Sequence, residues 1–159
     1  MNKLLACIFT SLLLFSNFSQ LQAQNEEFSN SLAYAEVGVV GLFGFLAGLN
    51  LSYEHRLYSN ANNDLHIYGR GGVAASGVLF GSGGLGGLVG GSLLTGSGNH
   101  HLEADLGVIV GKNDGSGSND VFAQAIGEVG YRFQKPGGGF LFKIKAGITG
   151  IGGALGYAF

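Results

Sequence analysis

FLFKIKAGITGIGGALGYAF (Phe140–Phe159) alternates two residues at a time. Phe140, Phe142, Ile144, Ala146 and Ile148 fall on one side, and Lys143, Lys145, Gly147 and Thr149 on the other. After a glycine break, Ile151, Leu155, Tyr157 and Phe159 stand against Gly152, Ala154, Gly156 and Ala158. A period of two puts successive side chains on opposite faces of a strand. One face is fatty here and the other is charged or tiny. That is inside-out for a soluble sheet and fits a transmembrane β-barrel, with lipid outside and a packed lumen.

The pattern extends upstream. Alternating segments lie near 33–43, 46–58, 64–78, 84–95, 100–112, 121–134, 139–149 and 151–159. A membrane strand needs roughly 9–11 residues, so these lengths suit an all-β, eight-stranded antiparallel transmembrane β-barrel over residues 33–159. The second segment sets Ala47, Leu49, Leu51, Tyr53 and Leu57 against Gly48, Asn50, Ser52, Glu54 and Arg56. The sixth sets Val121, Ala123, Ala125, Val129, Tyr131 and Phe133 against Gln124, Glu128, Gly130, Arg132 and Gln134. The third, fifth and first set Leu65, Ile67 and Val73 against His66, Tyr68 and Arg70, Leu102 to Val110 against Glu103 and Asp105, and Val37 and Val39 against Glu36.

Turn residues separate the runs at 59–63, 96–99 and 135–138. With both termini periplasmic, these compact turns fall on the periplasmic side, as such barrels require. The outer connections, near 43–46, 79–84, 113–120 and 149–151, are then short. Tyr131, Phe133, Phe140, Phe142, Tyr157 and Phe159 cluster outward at one depth, the expected place for an interfacial aromatic girdle. An alternative reading competes over Gly71–Asn99, an uncharged stretch long enough for a spanning helix, with small-xxx-small spacings at Gly83, Gly87 and Gly91. Glycine opposes that helix at about 1 kcal/mol per position relative to alanine. In a small barrel it instead permits curvature and leaves room for large inward side chains.

Ten charges share the inward face: Glu36, Glu54, Arg56, Arg70, Glu103, Asp105, Glu128, Arg132, Lys143 and Lys145. A cation facing lipid at mid-depth costs about 2–4 kcal/mol, so a one-residue slip of the strands would outweigh a whole domain's stability of roughly 5–15 kcal/mol. The charges therefore face the lumen. An eight-stranded lumen is just wide enough for side chains to fill, and balanced signs point to a mutually paired polar plug.

The start of the chain reads as an export signal. Asn2-Lys3 is basic, Leu4–Phe18 is mostly apolar, and Leu21-Gln22-Ala23 offers a cleavage site. Residues 1–23 are then a signal peptide and 24–32 a short periplasmic segment. Cys7, the only cysteine, lies in that signal, ahead of where a lipoprotein box would sit, so no disulfide or thiol chemistry remains. The 31 glycines have no three-residue period, which excludes collagen. Charge is sparse, with 8 Lys and Arg against 10 Asp and Glu and no basic patch, so no nucleic-acid partner is expected.

Candidate chemistry is thin. Asp114, Ser116, Ser118 and Asp120 sit at every second residue of a glycine-rich loop, but the central Gly and distal Glu of a calcium loop are missing, with Ala125 where the Glu would fall. His100 and His101 are adjacent and so face opposite ways, a poor metal geometry. His55 with Ser59-Asn60-Ala61 resembles the His/Ser motif of outer-membrane lipid A deacylases, at a different spacing. No enzyme activity, cofactor or metal is expected.

The C-terminal half resembles a group of small outer membrane β-barrel proteins common in Bacteroidota. The residues that carry the likeness are His100-His101-Leu102-Glu103, Gly130–Phe140 and Gly156-Tyr157-Ala158-Phe159, with Gln24-Asn25 after the signal site. The architecture is similar to OmpX/OmpA-type barrels without a periplasmic domain. The resemblance implies fold and an outer-membrane location and lends no catalytic residue. It also implies that Tyr157 and Phe159 resemble the assembly signal read by the outer-membrane insertion machinery, which with outer membrane lipid is the expected partner. Oligomeric state is open. The expected function is a structural or interaction barrel with a charge-plugged lumen. The alternatives are a narrow transport barrel for ions or small solutes and, on His55 and Ser59 alone, a lipid-modifying enzyme.

Overall fold

The computed structural model describes residues 28–40, 46–62, 64–76, 84–96, 98–113, 121–148 and 150–159. These form eight strands: β1 (Ser31–Val40), β2 (Leu46–Ser59), β3 (Leu65–Ser76), β4 (Gly84–Thr95), β5 (His100–Asn113), β6 (Val121–Gln134), β7 (Gly139–Gly147) and β8 (Gly150–Ala158). Each pairs antiparallel with its sequence neighbours, and β1 pairs with β8 from Leu32↔Ala158 to Val39↔Ile151, closing the barrel. No edge strand is left open, so every strand has a hydrogen-bonded neighbour on both sides. The helical alternative for 71–99 is overturned where it is described: β3 and β4 occupy that stretch as an antiparallel pair, from Leu65↔Thr95 to Ser76↔Gly84. The segment expected to be an export signal, the polar loop after Asn113 and the connections at 41–45 and 77–83 lie outside the described residues.

The ends of the strands define two mouths. The near mouth holds Ser31, Thr95, His100, Gln134 and Ala158 and the compact turns; the far mouth holds Gly84, Val121, Gly147 and Gly150. At the near mouth Asn60 Oδ1 accepts from the backbone N–H of Asp64 (3.0 Å) and of Leu65 (3.1 Å), pinning the β2–β3 turn. Gly137 and Gly138 have φ of 78° and 102°, a left-handed run that only glycine adopts readily, in the turn into β7. β1 begins at Ser31, two residues before its expected start, because the backbone of Ser31 pairs with Phe159 (N–H to O 2.9 Å, O from N–H 2.7 Å).

The wall is apolar outside. Leu57, Leu85, Leu102, Leu106, Val121, Val129 and Ile151 are each at least 66% exposed, and such residues recur on every strand's outward face. Soluble monomers rarely expose contiguous apolar patches larger than a few hundred Å². Tyr53, Tyr58, Tyr131, Phe133, Phe140, Phe142 and Tyr157 occupy outward positions toward the near mouth.

A β-bulge at Leu57 is the main departure from strict alternation. The register steps from Arg56↔Tyr68 to Tyr58↔Ile67, so Leu57 and Tyr58 both face outward, at 68% and 52% exposure. The extra residue turns Ser59 toward the lumen, where its hydroxyl meets His66 Nδ1 at 2.5 Å. Ser59, expected in a turn, is thus the last residue of β2.

Inward glycines mark close approaches of neighbouring strands. Gly90↔Gly107, Gly86↔Gly111 and Gly38↔Gly152 are direct cross-strand pairs. A Cβ on Gly107 would lie 2.7 Å from Val89 O, and one on Gly130 would lie 2.8 Å from Lys145 Cγ. The room anticipated for a large inward neighbour is present at Gly130, beside Lys145.

Candidate functional site: the lumen

The lumen is layered along the barrel axis. Its near-mouth floor is apolar: Leu32, Leu94 and Leu141 are fully buried beside Tyr68 and Ala158. Phe28, just before β1, folds back into this floor. Its ring stacks on His66 (4.3 Å, 16°) and meets His101 edge-on (4.7 Å, 89°). Tyr68 Oη donates to Ser29 O at 3.0 Å, and Arg56 N–H donates to Asn30 O at 2.7 Å. Arg56 also donates through its guanidinium to Asn30 Oδ1. Of the ten inward charges Arg56 alone stands apart from the ion-pair clusters, at the rim with this N-terminal segment.

Above the floor lies a fully buried tetrad. Arg132 Nη2 donates to Glu54 Oε2 and Glu103 Oε1, both at 2.6 Å, while its Nε donates to Glu103 Oε2 at 2.9 Å. Lys143 Nζ donates to the same two carboxylates, at 2.7 and 2.8 Å. Two acids therefore meet two bases. Tyr34 Oη adds a 2.5 Å bond to Glu54, and Ser92 Oγ donates to the same oxygen at 3.3 Å. Tyrosine faces take up the cationic side: Lys143 Nζ lies 3.9 Å from the Tyr34 ring centre and the Arg132 guanidinium 5.4 Å from that of Tyr68.

A second cluster follows at mid-barrel. Lys145 Nζ contacts Glu36 (2.8 Å), Asp105 (3.0 Å) and Glu128 (2.9 Å). Arg70 contacts Glu36 (3.0 Å) and Asp105 (3.5 Å), and shares Ser52 Oγ at 3.3 Å. These residues come from β1, β3, β5, β6 and β7, so the cluster ties strands across the lumen as well as along the wall. It holds three acids against two bases.

Beyond it, toward the far mouth, the described residues leave open space. A cavity of about 70 Å³ is lined by Glu36, Arg70, Glu128, Asn50 and Gln124 on its polar side and by Ile109, Phe122 and Ile126 on its apolar side.

The aromatic residues proposed for the girdle do not touch this site. Tyr131 Oη meets His100 Nδ1 on the outer surface at 2.5 Å, and His101 points inward and is buried. His55 and Ser59 face opposite sides of the wall: His55 Nδ1 meets Ser31 Oγ at 3.0 Å, and Ser59 meets His66. The geometry does not bring that motif together. Among the described residues, no three His, Cys, Asp or Glu groups are arranged to hold a metal ion.

Several lumen residues escaped sequence reading: Tyr34, Ser92, Phe28, Ile109, Phe122 and Ile126. Period two does place most of them inward. Attention to charges alone passed over them. Phe28 lies outside any alternating run, so no periodic signal marks it. Comparison with protein-family models, with curated proteins and with solved structures finds no match.

Proposed function

We propose that this protein is a structural or interaction barrel of the bacterial outer membrane, with a lumen closed by paired charges. The observation that carries this reading is the inverted wall: exposed aliphatic side chains outside, and Glu54, Glu103, Arg132 and Lys143 at 0–3% exposure inside. Lipid supplies a reason for that outer face, and a closed sheet is one of only two ways to cross it. On this reading the near mouth is periplasmic, residues 1–23 are removed on export, and the tyrosines and phenylalanines near that mouth sit at the headgroup level.

The plug predicts low conductance. Purified, refolded protein in planar bilayers should show no steady porin-sized current, and the native protein should fractionate with the outer membrane. A steady open-channel current would overturn the plug and favour the narrow transport barrel.

The insertion machinery is the proposed partner during assembly. Phe159 continues the outward series of Leu155 and Tyr157 and pairs through its backbone with Ser31. Deleting Phe159 should lower the folded amount in cells severalfold, while refolding into detergent in vitro still succeeds. Unchanged outer-membrane levels would count against this role.

A further inference from the structure

We propose that Glu103 and Asp105 share a single proton, carried on Asp105 Oδ1 and donated to Glu103, at pH values where exposed carboxyls are ionised. This proton joins the tetrad to the mid-barrel cluster. The inference deepens the paired-charge lumen proposed above and rests on it. Its test reads the proton itself, so it can fail while the conductance test succeeds.

Glu103 and Asp105 are successive inward residues of β5, one in each charged layer, at 3% and 2% exposure. Their side chains hydrogen-bond one another. Ionised carboxylates are acceptors only, so a bond between two of them needs a proton on one. Like charges in contact and out of water do not both ionise readily, and a shared proton relieves their repulsion.

Donor placement says which oxygen carries the proton. Arg132 from β6 serves both oxygens of Glu103, at 2.6 and 2.9 Å, and Lys143 from β7 adds a third bond at 2.8 Å. Asp105 is served on one oxygen only: Lys145 from β7 and Arg70 from β3 both reach Oδ2, at 3.0 and 3.5 Å. Among the described residues no donor reaches Asp105 Oδ1, although that atom is sealed from water. A buried carboxylate oxygen without a donor is costly. A protonated Oδ1 is itself a donor, while Oδ2 stays the acceptor that Lys145 and Arg70 use. The other lumen acids facing the pair have their own cations. Glu36 of β1 binds Arg70 and Lys145, Glu54 of β2 binds Arg132 and Lys143, and Glu128 of β6 binds Lys145. Tyr34 of β1 and Ser92 of β4 give their hydroxyls to Glu54. The inward face of β8 has only glycine and alanine beside the lumen.

The test is infrared spectroscopy of the whole refolded barrel in detergent, at about pH 6, where exposed carboxyls are ionised. The parent should show the carbonyl stretch of a protonated carboxyl. Aspartate labelled with a heavy isotope at its side-chain carboxyl carbon should move that band, which should vanish reversibly at alkaline pH. Asp105→Asn should lack the band and still unfold at the parent's urea midpoint, since an amide also donates on one side and accepts on the other. Glu103→Gln removes the ionised member of the pair and should lower the midpoint at the same pH. Absence of the band from the parent, a band that labelled aspartate does not move, or an Asp105→Asn midpoint as low as that of Glu103→Gln would overturn the proposal.

Discussion

Replacing Arg132 by alanine is expected to destabilise the barrel by about 3–5 kcal/mol, the usual cost of breaking a buried ion pair by removing one partner. Its side chain is fully buried and bridges Glu54 and Glu103, themselves fully buried. Removing it leaves Lys143 alone against two carboxylates and opens a hole beneath Tyr68. Water can follow, so a small leak conductance should accompany the loss of stability. Urea unfolding in detergent micelles measures the first effect and planar-bilayer recording the second. Adding Glu103→Gln to Arg132→Ala removes one stranded charge, so the double variant should recover part of the loss, with a coupling of about 0.5–3 kcal/mol. Strictly additive losses would mean that the tetrad is not a unit. Val129→Leu, on the outward face at 66% exposure, should change neither readout.

Gly156→Ala should lower stability by about 3 kcal/mol or more and reduce the yield of closed barrel, at the upper end of what overpacking costs. A Cβ there would lie 2.7 Å from Tyr34 Cα, and nearer still to Ala33 O and Tyr34 Cβ. The obstacle is mostly backbone, which cannot rotate away. It sits on the β1–β8 seam, where Tyr34↔Gly156 is a register pair and closure is completed. Gly87→Ala is the matched control: nothing lies within 4 Å of the added methyl, and its position is outward. That variant should stay within about 0.5 kcal/mol of the parent or gain slightly, since it only restricts the unfolded chain. Folded yield by gel mobility and urea midpoints would separate the two. Equal behaviour would show that strand approach at inward glycines does not limit closure.

These two sites differ in how far the sequence discloses them. Arg132 and Glu103 are inward by parity, and parity is written residue by residue as the alternation of fatty and polar side chains. The eight strands, their order along the chain and the inward side of each charge follow from that period, because each strand has a different environment on its two faces. Lys143 and Lys145, seen first as polar breaks in Phe140–Phe159, do enter the lumen. Depth along the barrel axis is another matter. Glu54 meets Arg132 and Lys143 across separations of 78 and 89 residues, and that meeting depends on the stagger between strands, which no local period encodes. Only closure of the sheet divides the charges into a neutral tetrad and a mid-barrel cluster with one extra acid. Only the bulge at Leu57 turns Ser59 inward to His66. Only packing of the N-terminal segment brings Phe28 onto the two histidines. Alternation tells a side chain which face it occupies; the tertiary structure alone decides its height and its neighbours, because those are set by the register of strands far apart in the chain.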